Sequence, residues 1–403
     1  MRATVRYRDS FDEASLDATA MPLLGAQRRF ARGSEWSGRR EVAGFSLRPL
    51  GAPWSAAVVE QAVRQAMAEF PVLEALVSWD AGVPILVPTA SPQIALDVRY
   101  TLDLDDPAVE AVAREVAELG TAPVHVTIAN TAKDAQRLYV FIEHLRVDQH
   151  SLPRVVAAIV RALSGAPGRA PRPWKDEVGI ARRLLDVEAG ASPDAAYWGD
   201  RLRGARLPTP VRAKRGANRL VVPQATTVKL AREAGYFGAA LHALHDTLLD
   251  DGPHLVGYAW GARPPFAADT VTCVINTLPS PYGDHRSPTD FRRSLWSDFE
   301  HGSVSYDDIV EDVNLDRRAG WSGEVHAWFA VEGRFEQRAN AVVEPLHLVP
   351  LKADIVVSAR TTGDGLVSLR VATDDDRTSR DLLDAWVRAL KIGGHVLAAG
   401  ERH

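Results

Sequence analysis

The sequence has one cysteine, Cys273, in 403 residues. That excludes an internal disulfide and a thiolate metal cluster. No window approaches the ~18 unbroken apolar residues that a membrane span needs. The opening residues, MRATVRYRDSFDEASLD, lack the apolar centre of a secretory signal. A soluble, cytoplasmic chain with no membrane partner is therefore expected. Nucleic acid is not an expected partner either. The net charge is -5, and the basic pairs Arg28–Arg29 and Arg39–Arg40 are too short to make the stripe such binders carry. No spacing of His, Asp or Glu suggests a metal site, and there is no short-period repeat. No bound metal or cofactor is expected.

What remains is an ordinary globular composition, 46% hydrophobic and 25% charged. The length exceeds what one core usually serves, so two domains are expected. Apolar residues recur at helical spacing from Ser55 to Phe70, where Ser55 can cap the start and Pro71 the end. Pro107–Leu119 and Leu152–Leu163 read as further helices. Val124–Ile128 and Leu138–Ile142 read as strands. SGAPGRAPRPW, Ser164 to Trp174, concentrates Gly and Pro and suits a linker. The expected division is 1–165, a linker at 166–175, and 176–403. The second part mixes strands (Leu255–Trp260, Val271–Thr277, Val325–Val331, Ile355–Ser358, Leu366–Val371) with helices (Phe291–Glu300, Tyr306–Val313, Ser379–Leu390). Both parts are thus α/β.

One stretch carries chemistry: FIEHLRVDQHSLPRVV, Phe141 to Val156. A buried strand ends near His144, and a helix begins near Ser151, which can cap it. His144, Asp148 and Ser151 then share a loop held between two rigid elements. A neutral imidazole there could take a proton from an attacking amine or hydroxyl, orient that nucleophile, or bond an oxyanion. Asp148 could hold the loop by pairing with an arginine elsewhere. One His and one Asp four apart also occur by chance in many proteins, where the His simply fills a core.

The stretch resembles the His-His-x-x-x-Asp-Gly motif of nonribosomal peptide synthetase condensation domains. Six other segments resemble that family's in order: PLLGAQRRF, EFPVLEALVSWDAG, AAYWGDRLRGA, VTCVINTLP, DFEHGSVSYDDIVEDV and PLKADIVVSA. The resemblance implies two chloramphenicol acetyltransferase-like lobes in a V with a central tunnel. It also implies acyl or peptidyl carrier proteins as partners, delivering thioesters on phosphopantetheine to a small-molecule nucleophile, and often a monomer. His144 would be catalytic. Asp148 would support the site with Arg263, because relatives carry an arginine shortly before the Asn-Thr motif. No adenylation segment or carrier attachment site is evident, so a freestanding module is expected.

The sequence departs from the family's motif at Glu143, which replaces the first His, and at Gln149, which replaces the Gly. Both could contact the tunnel or substrate, as could Ser151 and Asn276. Strand alternation favours Glu143 pointing away from the tunnel. Asn276 suits the bonding of a bridging loop. His301 reads as structural, and Cys273 as a buried strand residue, not a nucleophile. Three functions stay open: condensation to an amide or ester, a recruitment module without activity, and another reaction in the same cleft, such as cyclisation, epimerisation or acyl transfer from coenzyme A.

Overall fold

The computed structural model describes residues 19–101, 105–131, 136–208, 219–230, 236–248, 254–261, 263–282, 287–317, 321, 323–332, 335, 340–363, 366–393 and 396–399. The outer limits expected for the two parts, residues 1 and 403, lie outside these.

The architecture is mixed α/β and is built on two large sheets, as the sequence implies. In the first sheet the strands Val42–Pro49, Gln136–Glu143, Val124–Thr131 and Ile94–Thr101 lie side by side. All pairs are antiparallel except the last, which is parallel. The period-2 alternation of the Gln136–Glu143 strand feeds two cores. Leu138, Val140 and Ile142 pack with the helices Ala56–Glu69 and Leu152–Leu163. Tyr139 and Phe141 face the helix Asp106–Leu119 through Val109, Ala113 and Ala117. Ser55 caps its helix by accepting the Val58 N–H, as expected. Gly44 lets two strands approach closely: a Cβ there would lie 2.5 Å from the Val140 carbonyl oxygen.

The second sheet has seven strands, in the order Asn276–Pro281, Leu255–Trp260, Ala327–Glu332, Ile355–Gly363, Leu366–Ala372, Gln224–Leu230, Val396–Ala399. The helices Tyr236–Thr247 and Asp376–Ile392 pack together against it, joined by a Trp386 indole bond to the Ala240 carbonyl.

Residues 166–173 form neither helix nor strand, where the linker is expected. The division there is not clean, however. Ala341–Pro345, far beyond it in sequence, pairs antiparallel with Val42–Pro49 and becomes an edge strand of the first sheet. Its buried residues Ala341 and Val343 join that sheet's core. Composition marks where the chain loosens, not where a later strand returns.

The strand expected at Val271–Thr277 also needs correction. Only Asn276–Pro281 is a strand. Residues 271–275, Cys273 among them, are irregular although largely buried. Their backbone groups bond side chains in place of a neighbouring strand: the Val274 N–H donates to Asp148, and the Thr272 carbonyl accepts from Arg263 and Ser151.

Candidate active site

The chain leaves the Gln136–Glu143 strand through one 3-10 turn, His144–Arg146, before the helix at Leu152. The His144 N–H donates to the Glu41 carbonyl at 2.8 Å, and its own carbonyl accepts from Val147 at 3.3 Å. These bonds fix the backbone of the turn. The imidazole stacks on Phe30, ring centres 4.7 Å apart and planes at 22°. Nδ1 is buried with no partner in another residue, and the side chain as a whole is half-buried. Burial lowers the pKa of this imidazole, and the nearby Lys352 ammonium lowers it further. The carboxylates of Glu41 and Asp148 oppose the shift. The base form is therefore favoured.

His144 lines a cavity of about 490 Å³ between the two sheets. Phe30, Glu41 and Leu152 line it from the first half, and Trp328, Lys352 and Ser358 from the second. A larger depression of about 840 Å³ lies along the Leu152–Leu163 helix and Arg169–Arg172; Phe335 borders both spaces.

Asp148 is 6% exposed and never reaches the cavity. One carboxylate oxygen accepts the N–H groups of His150 and Ser151 and the Ser151 hydroxyl. The other accepts Arg263 at 2.7 Å and the Val274 N–H at 2.9 Å. Burial pushes its pKa up, but Arg263 and these hydrogen bonds outweigh that and hold it below the ordinary carboxylate range. The two terminal nitrogens of Arg263 also reach the carbonyls of Ala267, Thr270 and Thr272. The pair thus binds the motif loop to the irregular segment of the second half.

Of the other expected contacts, only Gln149 lies on the cavity wall, exposed. Glu143 is buried on the far side of the strand, where it accepts from Arg146 at 2.9 Å. Tyr139 and Phe141 share its side, as strand alternation requires. Ser151 is fully buried and does not cap the helix through its side chain; its hydroxyl serves Asp148 and the Thr272 carbonyl instead. The Asn276 amide donates to the carbonyls of Gly302 and Val304, within the second half. His301 bonds Asp194 and stacks on Tyr197. Burial pushes the Cys273 thiol pKa well up, which disfavours the thiolate.

Sequence reasoning missed Phe30, Glu41 and Lys352 as neighbours of His144. Phe30 and Lys352 fall within segments that carried the resemblance, but no spacing ties either one to residue 144. Gln27, in the same segment as Phe30, bonds the Leu145 carbonyl at 2.7 Å and so braces the turn from behind.

No protein-family model matches the sequence, and no curated protein matches it as a relative. Solved structures do. The epimerization domain from the third module of tyrocidine synthetase B superposes with a TM-score of 0.68 at 17% identity, over 92% of this chain and 95% of that one. The X-domain from teicoplanin biosynthesis gives 0.68 at 17%, over 93% and 96%. The first condensation domain of the calcium-dependent antibiotic synthetase, solved with a substrate analogue, gives 0.66 at 18%, over 92% and 95%. This chain has the condensation-domain fold. Arg263 meets Asp148 across 115 residues of sequence. No helix among the described residues is long and apolar enough to cross a membrane.

Proposed function

We propose that this chain condenses a carrier-bound acyl thioester with an amine or hydroxyl, in the synthesis of a peptide-like natural product. His144 supports this reading most directly: an imidazole whose base form is favoured, stacked and fixed by backbone, lining a cavity between the sheets. Nε2 accepts the proton of the nucleophile as its N or O bonds the acyl carbon. The carbon–sulfur bond breaks, and the proton passes to the pantetheine thiolate, leaving an amide or ester and a free thiol. Asp148 and Arg263 hold the loop and touch no substrate. The two spaces that Phe335 borders suit a passage in which thioester and nucleophile arrive from different sides, between lobes arranged as a V. Acyl or peptidyl carrier proteins docking at its mouths would supply the phosphopantetheine arm as part of the substrate.

A blocked cleft would strengthen the recruitment reading, and the cavity at His144 lends it no such support. The test is reconstitution with acyl-loaded carrier proteins and candidate amines or alcohols, followed by intact mass analysis. Wild type is expected to give coupled product, and His144→Ala to lose it by roughly 10²- to 10⁴-fold. Product undiminished in the variant would remove His144 from the mechanism. Carrier binding without product would favour recruitment. Turnover of a coenzyme A thioester alone would indicate a plain acyltransferase.

A further inference from the structure

Beside His144 lies an ion pair that neither the motif nor the fold explains. Lys352 Nζ is 2.6 Å from the Glu41 carboxylate. Both side chains line the His144 cavity, and both are only partly exposed. The pair is tied to the imidazole by two routes. Glu41 accepts the His144 N–H through its main chain, so its side chain projects from a backbone fixed to the turn. Lys352 lies 5.7 Å from the centre of the Phe30 ring, the ring on which His144 stacks.

We propose that Glu41 and Lys352 are positioning residues of the site: as an opposed charge pair on the cavity wall, each cancels the other's pull on the His144 imidazole, so that the ring keeps the proton-accepting form its enclosure favours. Two lone charges of opposite sign would push the imidazole in opposite directions. Together they form a nearly balanced dipole, so the desolvated ring keeps its base form without an adjacent unpaired carboxylate to draw in a proton. The other charges around the turn are occupied elsewhere. Asp148 is neutralised by Arg263, and Glu143 by Arg146 on the far side of the strand. Arg29 approaches Asp307 and helps keep Glu41 ionised. Arg114 is paired with Glu118, both buried at the cavity wall; Arg40 lies 3.9 Å from Glu143, and Arg370 3.0 Å from Glu332. Lys352 and Glu41 are thus the pair set against the ring itself.

The inference assumes His144 is the working base, but its test needs no turnover. The titration of the His144 ring is followed by proton–carbon NMR of the full chain, its resonance assigned by its loss in His144→Ala. Lys352→Met removes the cation and leaves Glu41 alone, so the titration should move to higher pH. Glu41→Gln leaves Lys352 alone, so it should move to lower pH. The double variant should return close to wild type, and Lys352→Arg should keep the wild-type value. Signal dispersion in each spectrum reports folding. Shifts of opposite sign that cancel in the double variant establish the pair's role; packing loss alone would not reverse sign with charge. Two single variants that titrate like wild type, or that move the same way, overturn the inference even if the chain condenses. Opposite shifts in a chain that makes no product would keep the inference and sink the condensing reading. Where product forms, the acid limb of kcat/KM should follow each titration, moving up in Lys352→Met and down in Glu41→Gln.

Discussion

Asp148 shows what a carboxylate can do without reaching the cavity. It is buried, accepts five hydrogen bonds and faces one arginine. Removing one partner of such a pair strands a charge in the interior, which costs several times what the pair itself is worth. Arg263→Ala is therefore expected to destabilise the protein by about 3–5 kcal/mol. Urea unfolding of the variant against wild type at neutral pH measures it. The acid side adds a signature. A carboxylate held below its ordinary value of 3.8 stabilises the fold above that value, and the stabilisation is lost as pH falls through the folded value. Without Arg263 the folded value rises, so acid unfolding should begin at a higher pH. An unchanged acid midpoint would mean the N–H bonds alone hold the charge. Arg263 was legible from the sequence only through the family pattern; nothing in local spacing links residues 148 and 263. Lys352 was not legible at all, because its relation to His144 exists only once the second half folds back.

Among the elements, those carrying a strong period were read well. Leu152–Leu163 spans the expected residues, and Leu255–Trp260 does too. Val271–Thr277 looked the same to a pattern reader, being apolar and β-branched. Yet its first part is irregular, because a buried carboxylate and a guanidinium supply the partners that a ladder would. Side-chain capture of backbone leaves no trace in a hydrophobic pattern. Gly44 is a similar case, since only the approach of the Val140 carbonyl explains it. Gly44→Ala should force apart the two strands that lead to the turn, at a cost of about 1–3 kcal/mol. Thermal melting checks the cost. A variant as stable as wild type would show that the sheet absorbs the added methyl.

At the scale of the molecule, the two halves are not independent beads. The strand Ala341–Pro345 lies in the first sheet, and the segment after Arg263 is bonded to the first half's motif loop. A fragment ending at residue 165 would leave the Val42–Pro49 strand with an unpaired edge, which invites association with other chains. Such a fragment is expected to aggregate or remain loosely packed, and light scattering with an amide NMR spectrum would show it. A monodisperse, well-dispersed fragment would mean that the returning strand is ornamental. The Gly- and Pro-rich stretch near residue 166 is visible in the sequence, whereas a five-residue strand arriving from position 341 carries too little pattern to declare its destination.

The clasp at Asp148 has a mechanical meaning. One carboxylate oxygen is anchored in the loop that follows His144, and the other in a segment belonging to the opposite half. A change in the spacing between the sheets would strain those bonds and pull on the turn that aims the imidazole. The motif is therefore built as a gauge: the aim of the His144 imidazole depends on the separation at which Asp148 keeps both grips.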